Sequence, residues 1–379
     1  MRIGIDVRYL SHGIVGGVRN YIATLVSALV HAGADHSFFL YADTKYPFEL
    51  TDLPSNVTLR LLPYKNKLST MYHDIFMRRE MEGDQLDIAH FPANYGFGPR
   101  NARTVITLHD QINIMPLPEI IRGNPKKPGT MAMMTYLHIC STLAMKHVDL
   151  VITISEYSKT RILDYAAFGE QKIVALLYPP SPHFHRITDQ TVLDDMRQRH
   201  GLSKPFILAD GIKNPGALVW AYKLLPADLR EAYDIVFFSR RPDPPAAVFE
   251  AVSSGYGHLL VRPSNEDLMA LYSTASVFAF PSWIEGLGLP PLEAMTCGAP
   301  VIASDRGSIP EVVGDAGLIT DVDDIEGMSR NLKRVLSDPV EANRLRQLGF
   351  ARAAGFSWDK TAHCYLDIYE QLLARPPGS

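Results

Sequence analysis

The sequence predicts an α/β protein built from two doubly wound, mostly parallel sheets. Three observations predict it. Short apolar runs alternate with helical patterns along most of the chain. The alternation breaks at a proline-rich stretch, LYPPSPHFH (177–185), and then restarts. The chain has 379 residues and 46% hydrophobic content, more than one ordinary domain needs.

The elements follow in order. IGIDV, at the amino end, is the first strand, and the loop SHGIVGG follows. Ile22, Leu25, Val26 and Leu29 then mark one apolar helix face, with Gly33 as its C-cap. The runs SFFLY, VTLRL, DIAHF, TVITL, LVITI and IVALL are further strands, several separated by helical patterns. Strands joined through helices pair in parallel by right-handed crossovers. Past the proline-rich stretch and a short charged helix come FILA, DIVFF, HLLVR, SVFAF, PVIAS and GLIT. Ala362, Tyr365, Leu366, Tyr369 and Leu372 give the last helix its apolar face. Two such domains are expected to face each other across a cleft. Ligands of open parallel sheets bind beyond the carboxyl ends of the strands, so site residues are sought just after strands.

Composition excludes several classes. A net charge of -4 argues against a general nucleic-acid binder. Cys140, Cys297 and Cys364 are odd in number and widely spaced, with no disulfide or metal framework, which fits a reducing cytosol. Met1 leads straight into a strand, with nothing like a signal peptide. No apolar run is long enough to cross a bilayer. The expectation is a cytoplasmic protein, at most bound to the inner face of a membrane.

The stretch IEGLGLPPLEAM (284–295) carries the chemistry. Glu285 falls in the loop after SVFAF, and Pro290 or Pro291 suits a first helical turn, which places Glu293 in that turn. Gly286 and Gly288 let backbone N–H groups approach a ligand, and a helix start attracts anions. Two carboxylates thus flank an anion-binding element. The bland alternative is a dipole-complementing Glu293 and a solvated Glu285.

The longer stretch FPSWIEGLGLPPLEAMTCGAPVIASDRGSIPEVVGDAGLI resembles the donor-binding segment of retaining glycosyltransferases of family four, which have the GT-B fold and include bacterial polysaccharide mannosyltransferases. Glutamate, glycine-rich loop, second glutamate, CGAPVIAS and PEVVGDAG occur in order and at matching spacing. The resemblance implies that Glu293 holds the ribose of a nucleotide sugar and that Glu285 contacts the donor sugar. Gly286, Leu287, Gly288 and Leu289 would offer N–H groups to sugar and diphosphate. It also implies a role near donor sugar and acceptor for His109, which follows the strand TVITL. Gly16 and Gly17, in GIVGGVRNY, match the family's glycine loop facing diphosphate and acceptor. Ser155 matches a further family position, and helix capping explains it equally well.

One departure concerns charge. In LADGIKNPGAL, Gly211, Lys213 and Asn214 match the family pattern, but its usual arginine is missing. A diphosphate leaving group needs cationic support, which falls to Lys213, with Arg240 or Arg241 as compensation. Asp305 and Glu311 lie in the same matched segment, Glu311 mainly as a helix-start carboxylate. No acidic metal triplet is visible, and the resemblance implies no essential metal and no cofactor beyond the donor substrate, with GDP-mannose as first expectation.

The resemblance divides the chain into an acceptor-binding domain (1–180), a donor-binding domain (181–355) and a terminal helix (356–379) returning to the first. The expected reaction is retaining transfer of a hexose, mannose first, to a hydroxyl of a glycan or lipid-linked saccharide. The competing readings are a GT-B epimerase or phosphorylase, and a catalytically weak nucleotide-sugar-binding protein. Two segments mix basic and apolar residues: Lys65, Lys67, Arg78 and Arg79 with Met71, Tyr72, Ile75 and Phe76, and Arg122, Lys126 and Lys127 before a methionine-rich helix. Such surfaces can dock on anionic lipid. The plainer reading, slightly preferred, buries the methionines in the core.

Overall fold

The computed structural model describes residues 1–12, 16–48, 50, 53–122 and 127–376. Residues 13–15 of the GIVGG loop, Lys126 and the side chain of Lys67 lie outside the described part. The chain divides into two compact units, Met1–Ser181 with Ser357–Ser379, and Pro182–Phe356.

The first unit has strands β1 (Arg2–Asp6), β2 (Ser37–Asp43), β3 (Val57–Leu62), β4 (Ile88–Phe91), β5 (Arg103–Thr107), β6 (Leu150–Thr153) and β7 (Ile173–Ala175). They form one parallel sheet in the order β3-β2-β1-β4-β5-β6-β7. Its helices are α1 (Gly17–Ala32), α2 (Lys67–Glu82), α3 (Leu117–Arg122), α4 (Pro128–Met145) and α5 (Glu156–Leu163). β4 and β6 are buried along their whole length, as parallel strands covered on both faces must be.

The second unit has strands β8 (Phe206–Asp210), β9 (Asp234–Ser239), β10 (Gly257–Val261), β11 (Val277–Phe280), β12 (Val301–Ser304) and β13 (Leu318–Thr320). They pair in parallel in the order β10-β9-β8-β11-β12-β13. Its helices are α6 (Gln190–Arg199), α7 (Pro215–Lys223), α8 (Ala227–Ala232), α9 (Ala246–Ser253), α10 (Asn265–Thr274), α11 (Leu289–Cys297), α12 (Ile309–Val313), α13 (Ile325–Ser337) and α14 (Pro339–Ala354). Every apolar run read as a strand is one. In each sheet the order reverses beside the first strand of the unit, between β1 and β4 and between β8 and β11. Crevices open at such switch points, outside the carboxyl ends of the strands.

Helix α15 (Trp358–Ala374) packs on α1 of the first unit. Ala362, Tyr365, Leu366, Tyr369 and Leu372 are all buried. Burial of each large apolar side chain contributes about 1.5–3 kcal/mol. The first part of the proline-rich stretch belongs to the same core: Tyr178 is buried, and the Trp358 indole Nε1 donates to the Pro180 carbonyl at 2.8 Å.

The preference for buried methionines holds only in part. Met77, Met81 and Met145 are core residues. The outer face of α2 instead exposes Leu68, Met71, Tyr72 and Ile75, and α4 exposes Met133, Ile139 and Leu143. The reason is periodic: on α2, His73, Asp74, Met77 and Met81 already fill the inward stripe, so residues in between face out.

Candidate active site

His109, Gly16 and Gly17 belong to the first unit; Lys213, Arg240, Glu285 to Leu289 and Glu293 belong to the second.

In the second unit Lys213 and Glu285 follow β8 and β11, the pair flanking the switch point, Glu293 lies on the helix after β11, and Arg240 follows the neighbouring β9. Asn214, in left-handed backbone with φ 55°, turns the chain from β8 into α7, a conformation asparagine tolerates. Lys213 Nζ meets Glu285 Oε1 at 2.8 Å, and the Ser282 hydroxyl donates to the same oxygen at 2.8 Å. The Glu285 side chain is mostly buried, so this pair is screened less than a surface ion pair.

The loop carrying Glu285 is held from below by the segment after β12. Ser304 Oγ donates to the Ser282 carbonyl at 2.6 Å. Ser308 donates to the Glu285 carbonyl twice, from its N–H at 3.2 Å and its Oγ at 3.1 Å. Gly307, at φ 63°, lies so close that a Cβ would overlap the Glu285 carbonyl oxygen and come within 2.8 Å of its nitrogen. Ser282, Ser304, Gly307 and Ser308 were not read as site residues from the sequence. The contacts span more than twenty residues, and the matched stretch includes all four without marking any of them.

Helix α11 begins at Leu289, after Gly288 at φ 80°. Glu293 is therefore its fifth residue, in the second turn and not the first. The physical reason is that Gly288 turns the chain early and puts Pro290 and Pro291 at the second and third helical positions. The first four N–H groups of a helix lack intrahelical partners. Prolines remove two of them here, which concentrates donor capacity on Gly288 and Leu289.

Glu293 is partly buried, and the Tyr272 hydroxyl donates to its Oε2 at 3.3 Å. Burial pushes its carboxyl from the ordinary 4.5 up to about 7; Tyr272 and the Arg240 guanidinium oppose that rise and the Asp210 charge adds to it. Asp210 ends β8, with its Oδ1 accepting from the Ile212 N–H at 2.9 Å, and burial raises its own pKa. Its charge acts together with those of Lys213, Arg240 and Glu285. Asp210 and Tyr272 were also missed, since a strand-end aspartate and a helix tyrosine carry no pattern of their own.

The two arginines after β9 separate clearly. Arg241 pairs with Asp243 at 2.5 Å on the surface. Arg240 is exposed too, but its charge reaches both Glu293 and Asp210. Its backbone is fixed by Arg262, whose Nε donates to the Arg240 carbonyl at 3.1 Å and whose N–H donates to Ser239 at 2.7 Å. Arg262 holds φ 52°, a strained backbone for a non-glycine residue.

In the first unit His109 follows β5 and is buried. Its Nε2 donates to the Pro92 carbonyl at 3.1 Å, so that nitrogen carries the proton and Nδ1 keeps a lone pair. Its backbone N–H donates to Asn94 Oδ1 at 3.0 Å. Burial lowers its pKa to about 4 against the opposing pull of the Pro92 carbonyl, so the ring is neutral at pH 7. Asp110 makes no hydrogen bond to His109; its Oδ1 accepts from the Ile112 N–H at 2.9 Å. Pro92 and Asn94, rather than the adjacent Asp110, therefore order His109.

Gly16 caps α1 in extended backbone, and a Cβ on Gly16 or Gly17 would meet no atom within 4 Å. Ser155 is the N-cap of α5, accepting from the Ser158 N–H at 3.0 Å, and Glu311 lies in the first turn of α12. The cysteines are free thiols. Among the described residues, no three His, Cys, Asp or Glu side chains are placed to hold a metal ion. No described helix is long and apolar enough to cross a membrane.

Carboxylates and cations thus gather beside the switch point of the second sheet, where open parallel sheets take their ligands. Residues 15–176 match the model of Glycosyltransferase Family 4, and residues 257–352 match that of Glycosyl transferases group 1. The chain is 29% identical over 297 residues to O-antigen chain mannosyltransferase B of Escherichia coli, covering 76% of each. It is 30% identical over 241 residues to the serotype-specific mannosyltransferase WbdA of Escherichia coli, covering 60% of this chain and 29% of that one. Its fold is similar to sucrose-phosphate synthase from Thermosynechococcus elongatus, at TM-score 0.69 and 20% identity over 98% of this chain and 99% of that one. With these matches and relatives the chain is a glycosyltransferase of GT-B fold and a hexosyltransferase, its first segment matching family four and its second group 1.

Proposed function

We propose that the enzyme transfers mannose from GDP-mannose to a hydroxyl of a glycan or lipid-linked saccharide during polysaccharide assembly. The supporting observation is the order of charges at the ends of β8 and β11. A cation, Lys213, stands beside one carboxylate, Glu285, while a second carboxylate, Glu293, stands on the following helix. A nucleotide sugar asks for this order: a hydroxyl-rich sugar, an anionic diphosphate and a ribose. The choice of mannose rests on the two mannosyltransferase relatives.

In this reading Glu293 accepts hydrogen bonds from the ribose, and Gly286 to Leu289 offer backbone N–H groups to the diphosphate and sugar. Lys213 and Arg240 stabilise the diphosphate as it departs, the largest contribution to catalysis. The arriving diphosphate competes with Glu285 for Lys213, which releases Glu285 toward the sugar hydroxyls. His109 contacts the transferred sugar as a neutral imidazole, and Gly16 and Gly17 give a phosphate or acceptor close access to the α1 N-terminus. The reaction needs no protein nucleophile: the acceptor oxygen bonds to the anomeric carbon on the face the diphosphate leaves, and its proton passes to the leaving phosphate.

The acceptor side includes a contact with an anionic membrane at the cytoplasmic face. Supporting it, the apolar residues exposed on α2 are flanked by exposed Lys65 and Arg79.

The test is transfer of radiolabel from GDP-mannose, UDP-glucose, UDP-galactose and ADP-glucose to a panel of lipid-linked and free saccharides. Product from GDP-mannose alone, lost in Glu285→Ala, is expected. Product from a uridine-linked sugar instead, or free sugar phosphate in place of glycoside, would overturn the reading.

A further inference from the structure

The core of the first unit contains a chain of polar groups that the reaction as described does not use. Tyr369 OH bonds His90 Nδ1 at 2.8 Å, and His90 Nε2 bonds Thr107 Oγ1 at 2.8 Å. Thr107 Oγ1 meets Tyr21 OH at 3.2 Å, and Tyr21 OH meets Tyr365 OH at 2.5 Å. All five residues are at most 2% exposed. They come from four elements: α1, β4, β5 and α15.

Such a network is costly. Burying hydroxyls and an imidazole gains little over phenylalanine and leucine of the same volume, and leaves every partner dependent on the others. What it gains is a fixed orientation. The ring it orients most directly is Tyr21. Its hydroxyl is tied to β5 and α15, and its face is packed by Tyr178, at 4.8 Å between centroids, and Trp358, at 6.2 Å. The Tyr21 ring in turn stands perpendicular to the His109 ring, at 5.0 Å and 90°. His109 is two residues beyond Thr107 on the same strand exit. Pro92 holds one ring nitrogen of His109, and Tyr21 forms the wall that stops the ring from tilting about that bond.

We propose that Tyr21 and Tyr365 are a positioning pair for His109, through which the last helix of the chain sets the ring that contacts the transferred sugar. The proposal rests on the role given to His109 above. Neither tyrosine is a catalytic residue; both act through the imidazole.

The test uses the full-length enzyme with Tyr21→Phe, Tyr365→Phe, the double variant, and Leu366→Ala. Leu366 is buried on the same helix face and controls for loosened packing. Three quantities are measured: the melting temperature, kcat and donor KM for mannosyl transfer, and the His109 imidazole NMR signals. Each Tyr→Phe variant should lower kcat about 10- to 100-fold, the size a misplaced group causes, with donor KM within about twofold. The His109 signals should shift in both, and the double variant should lose no more than the larger single one, because the hydroxyls act as one unit. Leu366→Ala should lower the melting temperature while leaving the His109 signals in place. Unchanged kcat and signals in the Tyr→Phe variants, or an equal loss in Leu366→Ala, would overturn the proposal. If the wild type transfers no mannose, the functional reading fails separately. The His109 signals then decide the positioning alone: shifted in both Tyr→Phe variants they sustain it, and unshifted they refute it.

Discussion

Glu293 carries an unusual feature for a residue assigned to hold a ribose: burial pushes its carboxyl up to about 7. An ionised carboxylate accepts hydrogen bonds from two hydroxyls, whereas the protonated form presents a competing donor. Donor affinity should therefore fall as pH drops through 7. Titration calorimetry with GDP-mannose from pH 5.5 to 8.5 measures this, and a flat profile would remove the anchoring role. Tyr272→Phe removes a group that favours the charged form, so the midpoint should move to higher pH. The sign for stability is opposite. Between its ordinary 4.5 and about 7, Glu293 is ionised when unfolded and protonated when folded. It therefore costs stability as pH rises through that window, and the full cost is present above 7. Glu293→Gln should melt higher than wild type at pH 8 and at the same temperature near pH 4.5. At Lys213 a Met substitution keeps the aliphatic stem and removes the charge. It should lower kcat about 10²- to 10³-fold, as loss of a preorganised electrostatic partner does, and steady-state kinetics will read it.

At the scale of elements, the loop after β11 is set by the segment after β12. Gly307→Ala puts a Cβ where the Glu285 carbonyl stands and demands a left-handed alanine, which costs about 1–2 kcal/mol. The expected outcome is a modest drop in melting temperature with a disproportionate loss of kcat/KM, since Glu285 and the N–H groups of the loop move together. The elements themselves were legible in the sequence. The strands are compact apolar runs bounded by turn residues, and the first and last helices repeat their apolar face at 3.6 residues, whereas short helices such as α3, α8 and α12 have too few turns to show a period. The register of α11 was less legible. Two consecutive prolines fit a first turn in either order, and only the left-handed Gly288 decides where the helix begins. Gly307 illustrates the other limit. A glycine in DRGS reads as an ordinary turn, and its reason lies in a backbone approach 22 residues away in sequence.

At the scale of the whole molecule, the two parallel sheets followed from the alternation of strands and helices, while their strand order and switch points came only with the structure, and the glutamate signature pointed to the strand ends of the second sheet. The polar network ending at Tyr365 did not follow from it. Its bonded partners Tyr21 and Tyr365 are 344 residues apart and look like any aromatic helix face until the fold brings them together. The exposed apolar strip on α2 was ambiguous for a similar reason: which stripe of an amphipathic helix faces inward depends on what covers it. Tyr72→Glu with Ile75→Glu should abolish sedimentation with vesicles rich in phosphatidylglycerol, leaving donor binding intact. Equal sedimentation of wild type and variant would exclude α2 as a membrane contact.

The most direct measurement is GDP-mannose binding to the wild type, Lys213→Met and Glu293→Ala by calorimetry at pH 8, with UDP-glucose as the competing donor. Saturable binding of GDP-mannose to the wild type, weakened by about 1–3 kcal/mol in each variant, is the expected result. Wild-type affinity retained in both variants would contradict a donor site at the ends of β8 and β11.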